Sequence, residues 1–116
     1  MALKIIFMGT PKFAVPILDS INKSKHNILS VYTQSPKKRD RGLKLRISPI
    51  HEYSKATKLA VRHPDNLNSK EEIKKIIELN PDVVVVAAYG KILPLKLLKI
   101  KKIIKIKEAT HSPNAT

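Results

Sequence analysis

Apolar and polar positions alternate along this chain in two rhythms, one of strands and one of helices. Leu3–Phe7 is a short apolar run broken only by Lys4, and Gly9 follows Met8. That pattern predicts a buried strand ending in a turn. Thr10 then reads as an N-cap with Pro11 at the first helical position. Phe13, Val15, Ile17, Leu18 and Ile21 keep a roughly helical spacing up to Asn22. Ile28–Thr33 reads as the next strand, rich in β-branched residues. Ser35–Arg46 is a polar loop carrying Pro36, Gly42 and six cations. Ser48-Pro49 opens a second helix with Ile50, Tyr53, Ser54 and Thr57 on successive turns, and His63-Pro64-Asp65 breaks the chain. Ser69-Lys70-Glu71-Glu72 resembles a capping box, backed by Ile73, Ile76, Ile77 and Leu79. Asn80-Pro81-Asp82 stops that helix.

The run Val83–Ala88 is apolar at every position, which suits a central parallel strand covered on both faces. The order strand, helix, strand, helix, helix, strand predicts an α/β doubly wound sheet of about four strands. Beyond Pro94, Lys alternates irregularly with Leu and Ile, and Ile103–Lys107 reads as a further strand. So small a parallel sheet leaves its edges open, which points to an incomplete fold.

A chain of 116 residues is one domain at most. Its 42% hydrophobic and 28% charged residues predict a globular, ordered protein. Without cysteine there is no disulfide or thiolate metal site, which fits a reducing cytoplasm. The longest apolar run, Val83–Tyr89, is far below the ~20 residues of a membrane span, and the N-terminus turns polar too early for a signal peptide. Secreted, membrane and collagen-like classes are not expected. The net charge of +14 has two readings, a Lys-rich codon bias or attraction to a polyanion. Arginine placement bears on the choice, because three of the four fall within Arg39–Arg46.

Met8-Gly9-Thr10-Pro11 lacks the three glycines of a dinucleotide turn, and Pro11 removes a backbone donor where phosphate would sit. No Walker pattern is present. Several blocks in order, however, resemble the methionyl-tRNA formyltransferase family. They are Phe7-Met8-Gly9-Thr10-Pro11-Lys12-Phe13-Ala14-Val15-Pro16, Val31-Tyr32-Thr33-Gln34, Arg41-Gly42-Leu43-Lys44-Leu45, and Ser48-Pro49-Ile50. Asn80-Pro81-Asp82 and Ala88-Tyr89-Gly90-Lys91-Ile92-Leu93-Pro94 continue the match, which runs from Leu3 to about Leu98.

The resemblance implies a Rossmann-like N-terminal domain, here an incomplete parallel sheet with flanking helices. It implies transfer of a formyl group from 10-formyltetrahydrofolate to the amino group of methionine on initiator tRNA. Carried over residue by residue, Lys37, Lys38, Arg39, Arg41, Lys44 and Arg46 are the tRNA-binding candidates. A cationic loop on a rigid sheet can follow phosphates, although a merely solvated loop has the same composition. Tyr89, Gly90, Lys91, Ile92 and Leu93 are the folate-binding candidates, placed where ligands meet the carboxyl ends of parallel strands. Gly90 can equally be a strand terminator, and Tyr89, Ile92 and Leu93 core side chains. No metal and no obligate protein partner are implied, and the expected location is cytoplasmic.

The resemblance fails at the catalytic motif. The family pattern Asn-x-His-x-Ser-Leu-Leu-Pro supplies an Asn to hold the formyl oxygen and a His to manage the proton. At family spacing those positions fall on Lys107 and Ala109. His111 comes two positions late and Asn114 follows it. The chain is therefore divided into a partial formyltransferase domain, 1–98, and a divergent basic and polar tail, 99–116. A frameshift or truncation explains the tail better than gene decay or recruitment, and an inactive product is expected. The alternative is a small basic RNA-binding protein without catalysis. His26, His51 and His63 have no partners at metal-ligand spacing and read as surface residues. Asp19, Asp65 and Asp82 read as isolated carboxylates, Asp82 as a turn residue.

Overall fold

The computed structural model describes residues 2–39, 44–94, 97 and 102–106. Strand β1 (Lys4–Gly9) leads through helix α1 (Ala14–Asn22) to β2 (Asn27–Tyr32). A two-stranded excursion, β3 (Lys37–Arg39) and β4 (Lys44–Arg46), precedes α2 (Pro49–Ala56) and the short β5 (Val61–Arg62). Helix α3 (Lys70–Leu79), β6 (Val83–Ala87) and β7 (Ile103–Ile106) follow. One sheet runs β5-β2-β1-β6-β7, and each neighbouring pair is parallel. The chain winds outward from β1 through β2 to β5, then crosses back to β6 and winds outward the other way. The reversal lies between β1 and β6, where open α/β sheets place their ligands.

Strand alternation divides the interior into two layers. Ile5 and Phe7 of β1, with Val83, Val85 and Ala87 of β6, pack with Ala14 and Leu18 of α1 and Ile50 of α2. Ile6, Met8 and Val84 belong to the opposite layer, with Ile73 and Ile76 of α3, Tyr32 and Tyr89. Both faces of β6 are covered, so its valine run has no solvent side to mark with polar residues. Each such side chain contributes about 1.5–3 kcal/mol on burial.

The α/β Rossmann-like expectation is met, and local signals are met unevenly. Ser48 caps α2, accepting from the His51 amide at 3.0 Å, with Pro49 in the first turn. Asn80 ends α3 in the left-handed region at φ 49°. Ser69 accepts from the Glu72 amide at 3.2 Å, but Glu72 does not close the box. Its carboxylate instead receives a bidentate pair from Arg62, Nε at 3.0 Å and Nη2 at 2.7 Å, and the Tyr32 hydroxyl at 3.3 Å. Thr10 does not cap α1, which begins at Ala14 with Phe13 before it and no side-chain cap.

Gly9 does not make a turn: it is the last residue of β1. A Cβ there would stand 2.8 Å from the Ala87 carbonyl oxygen and 2.9 Å from Phe7 Cε2, so close packing of β1 on β6 demands glycine. The Ser35–Arg46 loop contains the β3–β4 ladder, and β5 is a strand too short to leave a sequence signal. Both raise the strand count above the expected four. His26 is no idle surface residue, since its Nδ1 accepts from the Leu3 amide at 2.9 Å. Asp82 likewise pins the start of β1, its Oδ2 accepting from the Lys4 amide at 2.9 Å while its own amide donates to the Lys4 carbonyl at 2.8 Å. Asp19 accepts from the Tyr53 hydroxyl at 2.7 Å and joins α1 to α2.

The Arg62 guanidinium holds the Glu72 carboxyl below its ordinary value of 4.5, against the opposing effect of burial. A depressed folded pKa stabilises above the unfolded value and is lost as pH falls through the folded one. Glu72→Gln is expected to lower unfolding free energy by about 2 kcal/mol at neutral pH. Urea titrations across pH should show that difference intact above the ordinary carboxylate range and shrinking below it.

Candidate functional site at the carboxyl ends of the central strands

Past β6 the chain turns sharply: Ala88 has φ 54° and Gly90 φ 85°. Between them, the Tyr89 carbonyl receives two hydrogen bonds, from Thr10 Oγ1 at 2.9 Å and Gln34 Nε2 at 3.1 Å. Thr10 Oγ1 also accepts from the Gln34 amide at 3.3 Å. Thr10 follows β1 and Gln34 lies just past β2, so three strand ends meet on one carbonyl. A Cβ on Gly90 would run into the Gln34 amide group. The glycine is thus required by its backbone angle and by its neighbour, and it does more than end a strand.

The Tyr89 side chain is a core residue. It is 1% exposed, its hydroxyl has no hydrogen-bond partner among the described residues, and burial pushes the phenol up to about 12. Lys91 is engaged too, donating from Nζ to the Pro64 carbonyl at 3.2 Å and the Asp65 carbonyl at 2.9 Å. It straps the turn to the loop before α3. Ile92 is the opposite case, 93% exposed.

Two open clefts flank this turn. One, of about 400 Å³, includes Val86, Tyr89, Ile92, Leu93 and Lys105 in its lining. The other, of about 500 Å³, lies toward Asp65, Asn66 and Asn68 and shares Gly90, Lys91 and Ile92. Among the described residues no group of three His, Cys, Asp or Glu is placed to hold a metal, and no helix is long and apolar enough to cross a membrane.

The β3–β4 ladder carries the other candidates. Its antiparallel register sets Lys37 opposite Arg46 and Arg39 opposite Lys44, with Lys38 opposite Leu45. The register thus gathers four basic positions into two opposed pairs on this ladder. Lys37, Lys38, Lys44 and Arg46 are exposed, and Leu45 is 68% exposed. Arg41, Lys107, Ala109, His111 and Asn114 lie outside the described residues.

Sequence reasoning did not single out Thr10 and Gln34 as the supports of the turn. Thr10 carried a competing helix-cap signal, and nothing local announces that Gln34 reaches Tyr89, 55 residues away. His51 also departs from expectation, being 9% exposed rather than a surface residue. Burial, with His63 and Lys55 nearby, lowers its pKa from the ordinary 6.5.

A parallel sheet reversing between β1 and β6, with a glycine turn buttressed at that point and clefts at its strand ends, is the frame of a Rossmann-like α/β domain. Residues 3–108 match the family model described as formyl transferase, and the chain belongs to the formyl transferase family. It is 48% identical over 100 residues to the methionyl-tRNA formyltransferase of Orientia tsutsugamushi (strain Boryong), covering 86% of this chain and 33% of that protein. The methionyl-tRNA formyltransferase of Clostridioides difficile (strain 630) is 46% identical over 101 residues, 87% of this chain and 33% of that one. The chain thus spans about a third of the length of these curated relatives. Among solved structures, it resembles the phosphoribosylglycinamide formyltransferase of Streptococcus pneumoniae TIGR4 with a TM-score of 0.59 at 13% identity. That match covers 90% of this chain and 56% of the other, and it is a likeness of fold.

Gly90→Ala is expected to destabilise the protein by about 1–3 kcal/mol through its backbone angle and the collision with Gln34. Adding Gln34→Ala should recover only the collision. A double-mutant cycle in denaturant would show this as a non-additive pair; simple additivity would refute the contact.

Proposed function

We propose that this chain supplies donor-binding and tRNA-contacting surfaces of a methionyl-tRNA formyltransferase. The reaction moves a formyl group from 10-formyltetrahydrofolate to the methionyl amino group of initiator tRNA, and a cytoplasmic location follows from that substrate. The observation that carries the reading is the register of the β3–β4 ladder. A phosphate backbone laid along the ladder that carries Lys37, Arg39, Lys44 and Arg46 releases counterions as each charge is neutralised. Lys38 and Arg41 extend the same basic segment. Identity of 48% and 46% to proteins named for this activity supports the same substrate.

The cleft beside β6 fits a folate-derived donor. Ile92 and Leu93 offer apolar surface to a flat ring, Gly90 and Lys91 offer backbone groups past the strand end, and Lys105 offers a cation for carboxylates. When bound, the donor supplies the activated formyl group. Tyr89 contributes its carbonyl to the turn and its ring to the core, and so fixes the floor of the cleft. Lys107 and Ala109 stand where the family motif has Asn and His. This chain by itself therefore brings neither the amide that holds the formyl oxygen nor the imidazole that takes the proton, and we infer that it binds without transferring.

The tRNA surface is tested by filter binding of initiator methionyl-tRNA across salt concentrations. Lys38→Ala with Lys44→Ala should weaken binding and reduce the salt slope by about two phosphate contacts. An unchanged slope counts against the ladder as the contact. For the donor, Ile92→Asp should weaken 10-formyltetrahydrofolate binding about tenfold without moving the melting temperature, because the side chain has little packing to lose. Mixed with donor and tRNA, the unaltered chain should yield no formylmethionyl-tRNA.

A further inference from the structure

Lys91 sits on the strip of chain that divides the two clefts, and it lines both. Just before the strip, the Tyr89 carbonyl is fixed by Thr10 and Gln34. Beyond it, among the described residues, no main-chain hydrogen bond holds Gly90, Lys91, Ile92 or Leu93. Leu93 packs partly buried against the core layer that contains Tyr89, and Ile92 is 93% exposed. The polar attachment of the strip is the Lys91 ammonium, which donates to the Pro64 carbonyl at 3.2 Å and the Asp65 carbonyl at 2.9 Å.

We propose that Lys91 is a positioning residue for the folate-derived donor, its ammonium fixing where Gly90, Ile92 and Leu93 stand in the cleft beside β6. The role rests on the donor cleft proposed above. Hydrogen bonds from a charged donor are stronger than neutral ones. Two acceptors on consecutive peptide groups fix the ammonium in direction as well as in distance. The side chain is committed to the loop before α3, so what Lys91 offers a ligand is its main chain.

That loop is itself anchored. Ser35 Oγ lies within hydrogen-bond distance of the His63 carbonyl, at 3.0 Å, and of Asp65 Oδ1, at 3.1 Å. Leu67, two residues on, is 3% exposed. Lys91 therefore ties the strip to a part of the molecule that is already held. A strip ordered before the ligand arrives loses less freedom on binding, which is how preorganisation raises affinity.

The test is calorimetric titration of the full chain with 10-formyltetrahydrofolate at several salt concentrations. It is run well below the melting temperature, so that lost stability alone leaves the affinity unmoved. Lys91→Met keeps the aliphatic stem and removes the donors. It should bind about tenfold more weakly, with the salt dependence of the unaltered chain. Lys91→Gln, shorter and uncharged, should lose as much, and Lys91→Arg should recover most of the affinity by restoring charged donors. Equal affinity in Lys91→Met and the unaltered chain, with Ile92→Asp weakened, overturns the role and leaves the cleft standing. A flattened salt dependence in Lys91→Met also overturns it, because the ammonium would then be touching the donor's own charge. If Ile92→Asp binds as the unaltered chain does, the donor cleft itself falls, and this role with it.

Discussion

The Tyr89 carbonyl is the point on which this architecture turns. Two neutral hydrogen bonds contribute only about 1 kcal/mol each to stability. Their value lies in what they join: Thr10 comes from the end of β1, Gln34 from beyond β2, and Tyr89 from beyond β6. A sheet fixes the heights of its strands but leaves the chain free once it departs from them. Here one oxygen gathers three departures, and the chain then leaves at Gly90 with a left-handed angle that exposes Ile92. The clefts on either side inherit their shape from that gathering.

Legibility in the sequence followed the range of the interaction. The valine run of β6 was plain because burial on both faces writes itself into consecutive residues. The caps at Ser48 and Ser69 were plain because a cap is settled within three residues. Thr10 misled, since Thr before Pro satisfies the local helix rule while the hydroxyl is recruited 79 residues away. Glu72 half-misled in the same manner: its amide obeyed the capping box and its carboxylate answered Arg62. Two-residue β5 carries no periodicity at all and exists because β2 offers it a ladder. For the candidate site, the segment Tyr89–Leu93 is proposed from the family resemblance. The division of labour within it, with Tyr89 and Lys91 structural and Ile92 exposed, required the fold.

The β3–β4 ladder shows a different compromise. Its Lys and Arg positions stand opposite one another, and the structure keeps them at the periphery, away from both core layers. The rigid parallel sheet supplies the base from which this separate two-stranded ladder projects.

β7 has a consequence for the protein's behaviour in solution. Among the described residues it pairs with β6 on one side only, and Ile104 on it is 38% exposed. A parallel strand with an unmatched edge is a template for another copy, and nature commonly discourages that meeting with lysine. Lys105 stands on this strand and also lines the cleft beside β6. One ammonium group therefore belongs both to the lining of the cleft and to the edge strand, and a substitution made to reshape the cleft also removes a charge that guards the edge.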